Sequence, residues 1–135
     1  TQHLKINNIR WTREIAKDEI YKSHIGIMPL NYSQYSLGKG GFKLVQYMST
    51  GLPVIGSKVG YNEEIVSNGA GILVEDNLDK SVWVDAIMKI CESFETWESY
   101  SKGAYERWKS GFSYDYNLKV WKSLLNEGHG FQSIN

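Results

Sequence analysis

Residues 38–57, GKGGFKLVQYMSTGLPVIGS, constrain the fold more than any other stretch of the chain. Three of the first four residues are glycines, which permit backbone conformations and close approaches that a side chain would block. Apolar residues between 42 and 48 recur at helical spacing, and Gly51 stands where a left-handed cap ends a helix. The following PVIG run is typical of a strand that is covered on both faces. The stretch therefore predicts a glycine-rich loop, a short helix, a tight turn and a buried strand.

The glycine-rich loop is also a candidate binding site. A loop that opens a helix directs unpaired backbone N–H groups at one spot, where the helix dipole favours an anion. Lys39 and Lys43 add positive charge beside that spot. The pattern predicts a phosphate-binding corner at the carboxyl edge of a parallel sheet. The alternative is a flexible turn with solvated lysines, and the glycine pattern alone does not separate the two.

The rest of the chain alternates short apolar strands with helices, which indicates an open parallel α/β sheet. Four segments have the strand pattern: 3–7, 24–29, 53–56 and 71–74. Polar residues are expected to cap three of the helices, at Thr12, Asp79 and Ser113. Because parallel sheets bind ligands beyond the carboxyl ends of their strands, the loops at 30–43 and 57–63 are expected to line one cleft.

Apolar residues at helical intervals predict which helix faces are buried. The expected buried residues are Ile15, Ile20, Tyr21, then Trp83, Ala86, Ile87, Ile90 and Phe94 in one helix, Trp97, Tyr100, Ala104 and Trp108 in the next, and Leu118, Trp121, Leu124 and Leu125 in the last. The single cysteine, Cys91, follows the same stripe and is expected to be a core thiol, compatible with a reducing compartment.

Composition excludes several classes of function. Fifteen basic and fifteen acidic residues cancel, so nothing indicates a nucleic-acid footprint or a polybasic membrane patch. No apolar run reaches the length of a membrane span, and no signal-peptide pattern opens the sequence. The chain has no Asp-x-Asp motif and no His/Cys ligand cluster, so no metal site is expected.

Three consecutive segments resemble the donor-binding half of family 4 glycosyltransferases, also called group 1 glycosyltransferases, which have the GT-B fold. They are residues 38–55, 59–66 (VGYNEEIV) and 69–74 (GAGILV), with the spacing that the family has. The resemblance implies a Rossmann-like open sheet flanked by helices, with a helical C-terminal region. It further implies that residues 1–127 are part of a C-terminal nucleotide-sugar-binding domain and that 128–135 are a flexible tail. The last helix of such a domain typically crosses back to the first domain, so part of its apolar face would be exposed here.

The resemblance also implies roles for individual residues. The donor diphosphate would be bound by Lys43 and the backbone of Gly40, Gly41 and Phe42, with Lys39 as a secondary candidate. Gln46 occupies the position of a family glutamate that contacts the ribose, and its amide can still bond a hydroxyl. Further candidates lie in the cleft loops, at Tyr32, Ser36, Asn62 and Glu63. A second family glutamate is replaced by Gly38, so the catalytic carboxylate is not identified. His24 stands at a strand start, where it is either catalytic or bonded to backbone.

The function implied is transfer of a hexose from a nucleotide-diphosphate sugar with retention at the anomeric carbon, in polysaccharide or glycoconjugate synthesis, without metal or other cofactor. The parent enzyme would take a sugar or lipid-linked acceptor through an N-terminal domain, act in the cytoplasm, and could associate peripherally with the inner face of the plasma membrane. The fragment alone is expected to be inactive. One alternative is a non-catalytic nucleotide-binding or interaction module, which the glycine at position 38 motivates. Another is a GT-B nucleotide-sugar epimerase.

Overall fold

A computed structural model of the protein describes residues 5–67, 69–75 and 78–128. The described residues form helices and strands in the order α1 (Arg13–Lys22), β1 (Gly26–Met28), α2 (Gln34–Leu37), α3 (Phe42–Met48), β2 (Val54–Ser57), α4 (Asn62–Ile65), β3 (Gly71–Val74), α5 (Lys80–Ile90), α6 (Phe94–Gly111) and α7 (Tyr114–Gly128).

The three strands form a parallel sheet with β2 in the centre, in the order β1-β2-β3. Val54 is in register with Gly26 on one side and with Gly71 on the other. All four residues of β2 are buried. The predicted parallel sheet and the predicted burial of the PVIG strand are therefore confirmed.

The core lies on both faces of this sheet, because successive residues of a strand point to opposite faces. Val54 belongs to a cluster on one face, which also contains Met28, Leu30, Leu44, Met48, Ile65, Ala70 and Ala104. Ile55 belongs to a cluster on the other face, together with Val74, Ala86 and Ile90. The protein is thus an α/β fold with helices on both sides of a parallel sheet, as in a Rossmann-like domain.

The N-terminal segment departs from prediction. Residues 5–12 form neither helix nor strand, so the expected edge strand is wrong over its described part; residues 3 and 4 lie outside the described residues. Thr12 caps α1 as predicted, since its side chain accepts a hydrogen bond from the Ile15 N–H at 3.2 Å. No residue of α1 is buried, however. The predicted burial of Ile15, Ile20 and Tyr21 is therefore wrong, and Ile20 and Tyr21 border an open cavity beside α3.

The cap at the start of α5 is as predicted, because the Asp79 carboxylate accepts from the Ser81 N–H at 2.8 Å. Two predictions at the end of this helix are wrong. The helix ends at Ile90, so Cys91 lies beyond the buried stripe and is exposed. A new helix starts at Phe94, because the Ser93 hydroxyl accepts from the Thr96 N–H at 3.0 Å. The ring of Phe94 is exposed.

The last helix, α7, packs against α6. Its cap is as predicted, with the Ser113 hydroxyl accepting from the Tyr116 N–H at 3.2 Å. The four residues expected to face inward are all exposed: Leu118, Trp121, Leu124 and Leu125. The prediction of a buried face on this helix is therefore wrong, whereas exposed apolar residues on it were expected from the family resemblance. Of the predicted tail, residues 129–135 lie outside the described residues.

Candidate functional site

The end of β1 and the start of α3 enclose an open cavity of about 480 Å³ at the carboxyl edge of the sheet. Its lining residues are Ile27, Met28, Pro29, Leu30, Lys39, Gly40, Gly41, Phe42 and Lys43. The structure thus brings together all five residues that the sequence assigned to a diphosphate. We call this cavity the glycine corner.

Gly41 sets the shape of the glycine corner. It precedes α3 with a left-handed backbone, φ 60°, and its carbonyl accepts from the Leu44 and Val45 N–H groups at 3.0 and 3.3 Å. A Cβ on Gly41 would collide with the side chains of Asn62 and Ile65. Glycine is therefore required at this position both by the backbone conformation and by the close packing of α4.

The first turn of α3 faces the cavity without a side-chain partner. Within the described part of the chain, no side chain caps this helix. The N–H groups of a first helical turn have no partner inside the helix. The amides of Phe42 and Lys43 are therefore available to an anion in the glycine corner.

The two lysines of the corner are held differently. Lys43 is exposed on the first turn of α3. The Nζ of Lys39 lies 4.8 Å from the ring centroid of Tyr35, a cation–π contact that holds the half-buried lysine beside the cavity. Tyr35 belongs to α2, within a segment that the sequence predicts to be a loop. The signal for this short helix is Ser33, whose hydroxyl accepts from the Ser36 N–H at 3.1 Å.

A third lysine at this edge, Lys58, has a partner of its own. Its Nζ lies 2.8 Å from the Glu75 carboxylate. The hydrogen bond and the charge of Glu75, with a smaller contribution from Glu63, raise the pKa of Lys58. The same hydrogen bond lowers the pKa of Glu75. Lys58 is thus engaged across the end of the sheet and does not line the glycine corner.

The four cleft-loop candidates separate into two kinds. Tyr32 and Glu63 are exposed. Ser36 is buried and bonds the Ser33 hydroxyl at 3.1 Å, so it stabilises α2. Asn62 is fully buried, and its Nδ2 donates to the Ser57 carbonyl at 2.9 Å. None of the four is among the residues that line the glycine corner.

The two cleft loops lie side by side, although residues 57–63 do not line the glycine corner. Gly60 has a φ of 59° and packs so closely on Leu37 that a Cβ would stand 2.7 Å from the Leu37 carbonyl oxygen. The Leu30 N–H donates to the buried Ser57 hydroxyl at 2.7 Å. These contacts join the loop that follows β1 to the loop that follows β2.

Gln46 and His24 lie away from the glycine corner. Gln46 is half-buried on α3 and lines a separate cavity of about 200 Å³, with Lys17, Ile20, Tyr21, Ser49 and Thr50. The carbonyl of His24 accepts from the Trp97 Nε1 at 2.8 Å, and its ring meets the same indole edge-on. The structure therefore gives His24 a packing role, and the ribose role of Gln46 stays a prediction.

Metal-ligand clusters and membrane-spanning helices are both absent from the described residues. Their acidic, histidine and cysteine side chains form no group of three or more that could hold a metal ion. None of their helices combines the length and the apolar character that a membrane crossing requires.

The sequence matches the model of a known protein family. The family model described as "Glycosyl transferases group 1" matches residues 1–107, which is most of the chain. The matched part contains the sheet, the glycine corner and both cleft loops, and it ends within α6. No curated protein matches the sequence.

Proposed function

The chain belongs to the group 1 glycosyltransferases, and from this premise we propose that it binds the nucleotide-diphosphate sugar of a hexosyltransferase. The observation that carries the proposal is the glycine corner, where two lysines and an uncapped helix start meet at the carboxyl edge of a parallel sheet. Open parallel sheets bind their ligands at this edge. We assign the donor diphosphate to this cavity.

The chemistry needs such an arrangement. Breaking the bond between sugar and phosphate builds negative charge on the departing diphosphate, and fixed donors directed at that charge lower the barrier. Lys43 and the amides of the first turn of α3 are the donors that we assign, with Lys39 held alongside by Tyr35. In this proposal lysines and backbone amides stabilise the leaving group, and no metal or other cofactor takes part.

The nucleoside is proposed to extend from the corner along α3. Gln46 lies about one helical turn beyond Phe42, on the part of α3 that faces α1. A ribose there would receive a hydrogen bond from the Gln46 amide. We propose retention at the anomeric carbon, a sugar or lipid-linked acceptor, and a role in polysaccharide or glycoconjugate synthesis in the cytoplasm, because these follow from the family resemblance.

Calorimetric titration of the 135-residue chain with UDP, GDP and ADP tests the donor site. We expect one nucleotide to bind, and Lys43→Ala to weaken that binding roughly 10- to 100-fold, the usual range for a lost hydrogen bond to a charged group. Lys89→Ala is the control, because Lys89 is an exposed lysine on α5 that does not line the corner. The absence of binding by all three nucleotides would contradict the proposed site. Unchanged binding by Lys43→Ala would contradict the role of that lysine.

One observation favours a second candidate, a nucleotide-binding module without catalysis. Among the described residues that line the glycine corner there is no carboxylate, and Gly38 stands where many family members have a glutamate. Sugar turnover by the full protein that contains this chain separates the two candidates. Turnover supports the transferase, whereas nucleotide binding without turnover supports the module.

A further inference from the structure

The side chain of Asn62 has an unusual environment. It is fully buried, and its Oδ1 is a buried acceptor without a hydrogen-bond partner among the described residues. Buried polar atoms are paired in the great majority of cases, so an unpaired one needs an explanation. The sequence made Asn62 a candidate in the cleft loops, whereas in this structure its side chain is buried and does not line the glycine corner.

The orientation of the Asn62 amide follows from its single partner. The Ser57 carbonyl can only accept, and it lies 2.9 Å from Nδ2, so the amide nitrogen must face Ser57. The oxygen then faces the opposite way, toward Gly41. A Cβ built on Gly41 would stand 2.9 Å from this oxygen. An α-hydrogen of Gly41 takes the place of that Cβ and lies beside Oδ1, in position for a weak C–H···O contact.

Two other residues reinforce this arrangement from α4 and α6. Ile65, three residues after Asn62 on α4, reaches the same side of Gly41. Arg107 fixes the end of α4, since its guanidinium donates to the carbonyls of Glu64 and Ile65 at 2.7 and 3.2 Å. The guanidinium itself stacks on the ring of Phe112 at 4.7 Å. These hydrogen bonds of Arg107 attach the end of α4 to α6.

We propose that Asn62 is a positioning residue of the glycine corner and acts through Gly41; this rests on the proposed donor-binding function. The Asn62 oxygen and the Ile65 side chain leave room only for an α-hydrogen, and they hold Gly41 in its left-handed conformation. That conformation sets the direction of the following amides, which are the proposed donors to the diphosphate. Asn62 therefore sets the geometry of the anion site through Gly41, without contacting the ligand.

Asn62→Ala in the 135-residue chain tests the proposal. We expect the dissociation constant of the bound nucleotide to rise roughly tenfold, since a displacement of about 1 Å in a site can cost up to about a hundredfold. We also expect the NMR signals of the two Gly41 α-protons to move closer together, because one of them loses the neighbouring oxygen. Ile65→Val, a milder change on the same face of α4, should also raise the dissociation constant, but by less, and should leave the two α-proton signals largely separate because it keeps the Asn62 oxygen.

Ser101→Ala is the matched control. The Ser101 hydroxyl also donates to a loop carbonyl, that of Gly51 at 2.6 Å, but at the opposite end of α3. It should leave the Gly41 signals and the nucleotide affinity unchanged. The proposal is overturned if Asn62→Ala leaves the Gly41 signals in place, or if nucleotide binding depends on Lys43 and not on Asn62. If the unaltered chain binds no nucleotide, the proposed function fails, and the Gly41 signals alone decide whether Asn62 positions the loop.

Discussion

At the residue scale, Gly41 and Gly40 differ sharply although they are neighbours. Gly41 has a left-handed backbone and packs against Asn62 and Ile65, whereas a Cβ on Gly40 would meet nothing within 4 Å. We expect Gly41→Ala to lower the free energy of unfolding by about 1–3 kcal/mol, because alanine is strained in this conformation and needs space that α4 occupies. Gly40→Ala is the control and should change it by less than about 0.5 kcal/mol. Urea unfolding measures both, and equal effects would contradict this account.

The sequence predicts the glycine-rich loop but not the separate role of each glycine. Spacing shows that the loop precedes a helix, and that was sufficient to place Lys39 and Lys43 beside one cavity. The requirement at Gly41 comes from residues on α4, which the chain reaches only after another strand. The same holds for Asn62. Its place in the sequence made it a candidate in the cleft, but its burial depends on contacts between distant segments, which the sequence does not show.

At the scale of the element, Asp79 provides a prediction about α5. Hydrogen bonds from the Ser81 hydroxyl and backbone N–H lower the pKa of Asp79 below its ordinary value of 3.8. Because the folded-state pKa is the lower one, this stabilisation is complete above the ordinary value and is lost as the pH falls through the folded-state value. We expect Asp79→Ala to lower the melting temperature by a few degrees at neutral pH.

Thermal unfolding followed at neutral and at strongly acidic pH provides the measurement. Asp85→Ala is the control, since Asp85 is exposed in the middle of the same helix. The difference between the Asp79→Ala variant and the unaltered chain should shrink in acid. A difference that is constant with pH would show that the charge of Asp79 does not contribute.

Elements with a local signal were predicted, and elements that depend on contacts elsewhere were not. Apolar runs gave all three strands, and polar caps gave the starts of α1, α5 and α7. The helical spacing of apolar residues wrongly placed Phe94 in α5, because the Ser93 cap starts a new helix while the same spacing continues. The stripe of α7 has the period of a buried face, but periodicity does not reveal whether another surface covers it.

At the scale of the whole molecule, burial decreases from the centre of the sheet to the last helix. Every residue of β2 is buried, whereas all side chains of α7 between residues 114 and 126 are exposed. Local opening costs less where few apolar contacts must be broken. In native-state hydrogen exchange we expect the amides of β2 to exchange most slowly and those of α7 to exchange much faster. Equal protection of the two elements would contradict this ranking.

The contacts between the two cleft loops define where the protein can be redesigned. The loop after β1 is attached to the next loop at two points, through the Leu30 N–H on Ser57 and through the backbone of Leu37 against Gly60. Between these points the side chains of Tyr32, Gln34 and Tyr35 are exposed. A library varied at these three positions would change the exposed side chains beside the cavity, while both attachments of the loop are retained. Ser33 and Ser36 would be kept to preserve α2. Deletions, by contrast, would have to stretch a segment that is fixed at both ends.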